Sequence, residues 1–319
     1  MKKNKQQERK FIAPPPVRRG SLFRLVSPAG KCEAAPLTAL TTWLKGEGYQ
    51  VEWGKHLTGS SFQFAGTDQE RLEDLQEALD DPSADVILCS RGGYGTIRLL
   101  EHLDFRGFRK HPKWVVGYSD ITLLHSTLNH MGYRSLHGAM GRHSLGEDGQ
   151  PNESFQSLMA LLRGEESAST WAGNPLNRPG KSTAPLTGGN LSLLYALMGT
   201  PCEPDTLGKI LYIEDIGEYL YHLDRMMVSL RLAGKLEGLA GLVVGYFTDM
   251  KDNEDPFGKN VEEIILDAVR DYGYPVAFGF PAGHEHPNQA LVCGGTYTLM
   301  TETGLSSLVL EREHDLSDH

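Results

Sequence analysis

A serine at the end of an apolar run is the first residue in this sequence that could do chemistry. The stretch KWVVGYSDITLLH, from Lys113 to His125, begins with the pattern of a buried strand and ends with that of a helix. Ser119 would stand at the corner, with its hydroxyl above the sheet edge and the amide of Asp120 free in the first helical turn. This is the geometry of a nucleophile elbow that lacks the second glycine of G-x-S-x-G. The alternative is that Ser119 or Asp120 only caps the helix.

A glycine-rich loop follows the preceding apolar run. The segment 91–95 reads RGGYG and would leave the carboxyl end of a strand that neighbours the serine strand in many doubly wound sheets. Paired glycines let backbone amides approach a ligand and form an anion-binding concavity, which in acyl transfer would complete an oxyanion hole. The alternatives are an ordinary turn and a phosphate site, although neither G-x-x-x-x-G-K-[ST] nor a clean G-x-G-x-x-G is present.

A serine nucleophile needs a general base, and the base needs an acid that orients it. Among the twelve histidines, His284 and His286 stand out because they follow an apolar strand in a loop rich in Gly and Pro. Glu214 and Asp215 end another apolar strand and are the candidate acids. The His-x-His pair also resembles a metal site, but no third ligand with a recognisable spacing accompanies it. Together these residues favour a serine hydrolase built across two domains, without a metal.

The elements that must position these residues alternate along the chain. Apolar strands separated by amphipathic helices predict a mostly parallel sheet covered on both faces, which is a doubly wound α/β domain. Its functional edge should be at the carboxyl ends of the strands. We predict a disordered, basic and proline-rich tail (1–20), this N-terminal domain (21–164), a linker rich in Ser, Gly, Pro and Asn (165–184) and a smaller mixed α/β C-terminal domain (185–319).

Composition narrows the classes of partner. The chain has 319 residues and a formal net charge of −10, which argues against nucleic acid or an anionic membrane because phosphate binding needs a basic face. The four cysteines form no C-x-x-C pair, as expected of reduced thiols in a cytoplasmic protein. The N-terminal segment has no apolar stretch before its three prolines, so we expect neither a signal peptide nor a membrane helix.

Six motifs occur in one order between Ser21 and Thr298, namely SPAG, SRGGYG, GYSD, LTGGNLSLL, LYIEDIGEYLYHLDRM and GH…N…G. With them the sequence resembles the serine LD-carboxypeptidase family. The resemblance implies a catalytic triad at the junction of two domains, with Ser119 as nucleophile, Glu214 as acid and His284 as base. The amides of Gly93 and Asp120 would form the oxyanion hole. Two features depart from the family, namely LVCGG after the histidine, where members usually have a proline, and the basic tail.

The resemblance also implies a substrate and a setting. It implies a cytoplasmic homodimer that works without a cofactor in murein recycling and releases the terminal D-alanine of a tetrapeptide. Arg91 and Gly92 are the candidate substrate contacts, with Arg91 facing the terminal carboxylate. Relatives that resemble microcin C immunity peptidases would instead cleave an amide next to a nucleotide-like group, with Trp171 as a candidate platform for the base. A ligand-binding module without catalysis is the remaining alternative, and the filled triad positions argue against it.

Overall fold

The computed structural model describes residues 10–302 and 304–312 and contains two β-sheets. The strands are β1 (Leu22–Val26), β2 (Gln50–Trp53), β3 (Ala84–Cys89), β4 (Trp114–Gly117), β5 (Ser135–His137), β6 (Ala168–Ala172), β7 (Gly180–Asn190), β8 (Ile210–Ile216), β9 (Gly241–Thr248), β10 (Val276–Phe278), β11 (Leu291–Cys293), β12 (Thr296–Glu302) and β13 (Leu305–Leu310). The helices are α1 (Ala34–Gly46), α2 (Asp68–Asp80), α3 (Arg106–Lys110), α4 (Thr122–Met131), α5 (Glu153–Leu162), α6 (Leu191–Ala196), α7 (Leu220–Leu232) and α8 (Val261–Val269). None of the helices in these two ranges is long and apolar enough to cross a lipid bilayer.

The first sheet has the strand order β11-β5-β4-β3-β1-β2. Strands β1 to β5 are parallel, and β11 joins β5 in the antiparallel sense. The central strands β1 and β4 are buried along their whole length because helices cover both faces, which is why they are continuously apolar in sequence. The parallel arrangement brings the carboxyl ends of β1, β3, β4 and β5 to one edge, where the loops that precede α1 and α4 and the RGGYG loop begin.

The second sheet has the order β10-β9-β8-β7-β12-β13-β6. Strands β7 to β10 are parallel, whereas β12, β13 and β6 form an antiparallel extension on the other side of β7. Helices α6, α7 and α8 cover one face of the parallel part with a separate apolar cluster. Another apolar cluster contains side chains from both halves of the chain, among them Leu136 and Phe155 from the first and Tyr212 and Leu299 from the second. The two sheets therefore share a core, and the predicted α/β class is confirmed.

The tail predicted to be disordered is only partly covered by the structure, because residues 1–9 lie outside the described ranges. Within residues 10–20 the prediction is wrong. Phe11 is buried, and Ile12 exchanges backbone hydrogen bonds with Gly132 and Arg134 beside the end of α4. The indole N–H of Trp114 donates to the carbonyl oxygen of Pro15 at 3.0 Å. This segment is held because its few apolar side chains fill gaps in the first domain.

The predicted irregular linker at 165–184 contains all of β6 and the first residues of β7. Polar composition concealed these strands because β6 is an edge strand whose side chains alternate between exposed and half-buried positions. The apolar stretch ALVCGGTYTLM does not form one continuous strand. It is divided at Gly294 and Gly295, so that β11 belongs to the first sheet and β12 to the second.

Candidate active site

Ser119 lies at a tight corner between β4 and α4. Its φ angle is +60°, in the left-handed region, a backbone state that costs a non-glycine residue about 1–3 kcal/mol and persists only where its surroundings enforce it. Two positions before it, a Cβ on Gly117 would lie 2.7 Å from Cγ1 of Ile121, so the corner requires glycine there. The strained serine and the close approach under it reproduce the elbow geometry expected from the sequence.

A buried histidine holds the end of β4 below this corner. The Nε2 atom of His125 is 2.8 Å from the carbonyl oxygen of Gly117, and its Nδ1 atom is 2.9 Å from Oγ of Ser135. Because a carbonyl only accepts, Nε2 carries the hydrogen and Nδ1 accepts from the serine hydroxyl. Burial lowers the pKa of His125 to about 4, so the ring is neutral and this pattern of bonds is stable at physiological pH.

His284 lies between Ser119 and Glu214. Its Nε2 atom is 3.1 Å from Oγ of Ser119, and its Nδ1 atom is 2.7 Å from Oε2 of Glu214. Glu214 is fully buried near the end of β8. Because the carboxylate accepts, Nδ1 carries the hydrogen and Nε2 is left to accept the proton of the serine hydroxyl. The structure thus joins the three residues in the order that nucleophilic catalysis requires.

The loop that carries His284 is fixed by glycine and asparagine. Gly283 has a φ angle of +132°, and a Cβ there would approach both Cβ and Oε2 of Glu214 to 3.2 Å. The Gly283 amide donates to Oδ1 of Asn288 at 3.0 Å, and the Asn288 amide donates to Oγ of Ser154 in α5 at 2.8 Å. The second domain therefore presents the histidine while the first domain anchors the end of its loop.

Helix α4 and strand β7 also meet directly beside the site. The Asn190 amide donates to Oγ1 of Thr122 at 3.0 Å, and a Cβ on Gly189 would lie 2.6 Å from that same oxygen. The GGN of LTGGNLSLL thus lies at the end of β7, and α6 begins directly after it. It lets β7 approach the helix that begins after Ser119.

Opposing effects set the pKa of His284. Burial disfavours the imidazolium, but the hydrogen bond and the charge of Glu214, with a smaller contribution from Asp215, outweigh burial and raise the pKa of His284 above its usual range. The Asp215 carboxylate is turned to the other side, where it accepts from the Asn190 side chain and from the amides of Ser192 and Ile216. Burial, and then the charge of Glu214, raise the pKa of Asp215 to about 7. Of the two candidate acids, only Glu214 contacts the histidine.

The RGGYG loop passes over the serine. A Cβ on Gly92 would lie 2.9 Å from Cβ and 3.1 Å from Oγ of Ser119, and 3.5 Å from the amide nitrogen of Asp120. Gly93 has a φ angle of +109°, which favours glycine. Within the described part of the chain, the amides of Gly93 and Asp120 have no hydrogen-bond acceptor. Two unused donors near a serine oxygen are what an oxyanion hole needs.

The side chain of Asp120 has a role that the sequence pattern did not reveal. It is buried, and its Oδ2 atom accepts from the backbone amide of Thr96 at 2.9 Å. Burial raises the pKa of Asp120, against the opposing effect of the Thr96 hydrogen bond. The carboxylate thus ties the end of the RGGYG loop to the elbow. A helix cap was the only side-chain function that the local sequence indicated, and the partner, Thr96, was not predictable from it.

Two cavities are lined by residues that adjoin the candidate site, one by Tyr118 and His284 and the other by Arg91, which precedes Gly92. The smaller one has a volume of about 120 Å³ and is lined by His284 and Tyr118 together with His143 and His286. The larger one has a volume of about 620 Å³, and Arg91 is in its wall. The Nη1 atom of Arg91 donates to the carbonyl oxygen of Lys31 at 3.0 Å, which fixes the guanidinium at the rim.

The other candidates from the sequence lie elsewhere or have structural partners. His286 is not joined to His284 through a shared ligand, since both nitrogens of His284 are already used by Ser119 and Glu214. Among the described residues there is no group of three or more His, Cys, Asp or Glu that could hold a metal ion. Trp171 packs on Phe280 and donates from Nε1 to the carbonyl oxygen of Phe278 at 2.9 Å.

Comparison with known proteins gives a consistent picture across the chain. Residues 23–138 match the model of the LD-carboxypeptidase N-terminal domain, and residues 183–299 match that of the LD-carboxypeptidase C-terminal domain. A probable murein peptide carboxypeptidase of Bacillus subtilis is 36% identical over 291 residues, which are 90% of this chain and 91% of that protein. The murein tetrapeptide carboxypeptidase of Pseudomonas aeruginosa is 30% identical over 86% of this chain and 92% of its own length.

Solved structures share the same architecture. The muramoyltetrapeptide carboxypeptidase from Oxalobacter formigenes superimposes with a TM-score of 0.83 at 29% identity, over 92% of this chain and 99% of that chain. MccF in complex with glutamyl sulfamoyl guanosine gives a TM-score of 0.80 at 20% identity, over 95% of this chain and 99% of that chain. At that identity the second likeness shows the fold alone.

Proposed function

The chain belongs to the LD-carboxypeptidase family, and from that premise we propose that it is a serine carboxypeptidase of murein tetrapeptides. It hydrolyses the L,D amide bond that links the terminal D-alanine, as part of cell-wall recycling. The observation that carries this proposal is the continuous hydrogen-bonded line from Ser119 through His284 to Glu214. The names of the relatives from Bacillus subtilis and Pseudomonas aeruginosa support the substrate class.

The proposed reaction has two halves. Nε2 of His284 takes the proton of Ser119 as Oγ forms a bond to the scissile carbonyl carbon, and the amides of Gly93 and Asp120 hold the oxyanion. The C–N bond then breaks, and the imidazolium gives its proton to the leaving amine of D-alanine. In the second half a water molecule loses a proton to His284 and attacks the acyl-enzyme, which releases the shortened peptide and restores the serine hydroxyl.

Glu214 contributes to both halves without being protonated itself. It holds the imidazole in the tautomer that leaves Nε2 free, and its negative charge stabilises the imidazolium that forms in each transition state. Its complete burial strengthens this effect, because the charge is weakly screened in a low-dielectric surrounding. The homodimer and the cytoplasmic location implied by the family resemblance stay predictions.

Two rival functions use the same scaffold. An immunity-type peptidase would cleave an amide next to a nucleotide-like group, and the likeness to MccF shows only that the fold admits it. Trp171, the candidate platform for a nucleobase, has its indole against Phe280 and its N–H engaged with a carbonyl, so it is placed as a packing residue. A binding module without catalysis would not require Ser119, His284 and Glu214 to lie within hydrogen-bonding distance of one another, so their arrangement argues against that alternative.

The test is a mass-spectrometric assay of the purified protein with a murein tetrapeptide and, separately, with an aminoacyl-nucleotide sulfamate. We expect D-alanine release from the first substrate, and a fall of at least about a thousandfold in the Ser119→Ala variant. Ser83→Ala is the matched control, since Ser83 immediately precedes β3 at the opposite edge of the sheet and its hydroxyl donates to Asp81. Activity of Ser119→Ala within tenfold of the parent would refute the nucleophile. Cleavage of the sulfamate alone would establish the rival function.

A further inference from the structure

The larger of the two cavities, which Arg91 lines, carries an uneven distribution of charge. Its wall contains three cationic side chains, Lys31, Arg91 and Arg142, and one anionic side chain, Glu33. The three cations come from the loops that follow β1, β3 and β5, which are parallel strands of the first sheet and end at the same edge. A local excess of positive charge in a chain whose formal net charge is −10 indicates a site for an anion.

The three cations of this cavity form no ion pair with a carboxylate in the described part of the chain. Within residues 10–302 and 304–312, no carboxylate lies within 4 Å of the charged group of Lys31, Arg91 or Arg142, whereas many other surface arginines in this chain are paired, such as Arg98 with Asp68. The two guanidinium groups also act on a common neighbour. Burial raises the pKa of the Cys32 thiol in the cavity wall, and the charges of Arg142 and Arg91 oppose that rise. Both arginines therefore face the same space.

The triad decides which part of a peptide would enter this cavity. His284 must protonate the leaving amine, so the leaving residue has to lie in the small cavity that His284 lines. The acyl part of the peptide continues on the other side of the scissile carbonyl. There Arg91, in the wall of the larger cavity, precedes Gly92, on which a Cβ would lie 2.9 Å from Cβ of Ser119. The cavity volume of about 620 Å³ is within the usual range of ligand pockets.

We propose that Lys31, Arg91 and Arg142 form a subsite that binds free carboxylates on the acyl side of the scissile bond. This inference rests on the proposed function and adds a selectivity to it. The γ-linked D-glutamate of a murein peptide, and a dicarboxylic diamino acid where one is present, carry such carboxylates. Peptides in which these groups are amidated are poorer substrates. This inference assigns Arg91 to the acyl side, whereas the sequence had predicted that it holds the terminal carboxylate of the leaving residue.

Arg142 offers the cleanest test because the mechanism does not use it. We compare the parent with Arg142→Met, which keeps the aliphatic stem, and with Arg142→Lys, which keeps the charge. Arg109→Met is the matched control, since Arg109 is an exposed residue of α3 that neither forms an ion pair with another described residue nor lines either cavity. The substrates are a tetrapeptide with free acyl-side carboxylates, the same peptide with those carboxylates amidated, and one with only the terminal carboxylate amidated.

The expected result is a change in KM and not in kcat. Loss of one charged hydrogen-bonding partner should raise KM for the free tetrapeptide by about tenfold, and Arg142→Lys should recover part of this. Amidation of the acyl-side carboxylates should raise the KM of the parent by about the same factor. With the amidated peptide, the parent and Arg142→Met should then have the same KM, as in a double-mutant cycle. Higher ionic strength should weaken binding in the parent more than in Arg142→Met.

Direct binding to the Ser119→Ala variant, measured by calorimetry with the uncleaved tetrapeptide, gives a readout apart from turnover. If the parent cleaves the tetrapeptide but Arg142→Met leaves KM and Kd within twofold, the subsite is refuted and the proposed function stands. If the effect of Arg142→Met disappears only when the terminal carboxylate is amidated, the cavity serves the leaving residue and the inference is wrong. If the parent neither binds nor cleaves the tetrapeptide, the proposed function and the subsite fall together.

Discussion

A methyl group added to Gly92 is expected to displace Ser119 while leaving the three triad residues themselves unchanged. The backbone of Gly92 is not in the left-handed region, so Gly92→Ala imposes no strain of its own. The new Cβ would lie 2.9 Å from Cβ of Ser119 and 3.1 Å from its Oγ. Either the Gly92 loop or the Ser119 corner must therefore move, and the nearest atoms belong to the serine that has to attack the substrate.

The size of that movement follows from ordinary contact distances. Carbon atoms rest at about 3.5–4.0 Å, so the pair must separate by about 0.6 Å or more. Neither partner yields easily, because the carbonyl oxygen of Gly92 accepts from the Gly30 amide at 3.0 Å and Ser119 sits in a strained corner. Misplacement of reacting atoms by about 1 Å can cost about a hundredfold. We therefore expect kcat/KM to fall by about tenfold to a hundredfold.

The assay is D-alanine release under kcat/KM conditions, with circular dichroism and thermal unfolding measured on the same samples. Gly273→Ala is the control, since a Cβ there meets no atom within 4 Å and its φ angle is not positive. The reasoning is refuted if folded Gly92→Ala retains activity within twofold of the parent. A loss of activity that is matched by Gly273→Ala would show that the assay responds to general destabilisation.

Two further predictions concern the base and the tail. Because the pKa of His284 is raised and the base must be neutral, kcat/KM should rise with pH through an apparent pKa above the usual value of about 6.5. Glu214→Gln should move that limb to lower pH and reduce kcat by about a thousandfold to ten-thousandfold, and an unmoved limb in the pH profile would contradict this. Phe11→Ala should destabilise the fold by about 3 kcal/mol, because its ring is buried against Gly294. Urea unfolding measures this, and a midpoint equal to that of the parent would show that the segment is dispensable.

The candidate catalytic residues could be predicted because each stands at or after the end of a strand. Functional residues of parallel sheets stand at the carboxyl ends of strands, so Ser119 after β4 of the first sheet and Glu214 near the end of β8 of the second were visible as candidates from local pattern alone. The choice of Glu214 over Asp215, and of His284 over His286, came from the family resemblance. Local pattern could not decide it, because neighbours in sequence differ here only in the direction of their side chains.

The features that were missed depend on contacts between distant segments. Phe11 and Gly294 illustrate this, because each looked like an unrelated departure from the family. In the fold a Cβ on Gly294 would lie 2.8 Å from the ring of Phe11, so the glycine makes room for the tail segment. Arg142 likewise follows β5 in an unremarkable stretch, and its importance appears only when three loops place their cations in one cavity.

The route of the chain around His284 ties the completion of the fold to the onset of activity. The histidine loop leaves β10 in the second sheet and enters β11 in the first, as an antiparallel partner of β5. During synthesis the serine domain therefore emerges with an unpaired edge at β5, which is open to wrong pairing until β11 arrives. The triad of a nascent chain is complete only once the segment that carries His284, just before β11, has been synthesised and has folded against Ser119. Two halves expressed separately would each be inactive, because one carries Ser119 and the other carries Glu214 and His284. They would regain hydrolysis only if β11 of the C-terminal fragment paired with β5 of the N-terminal fragment.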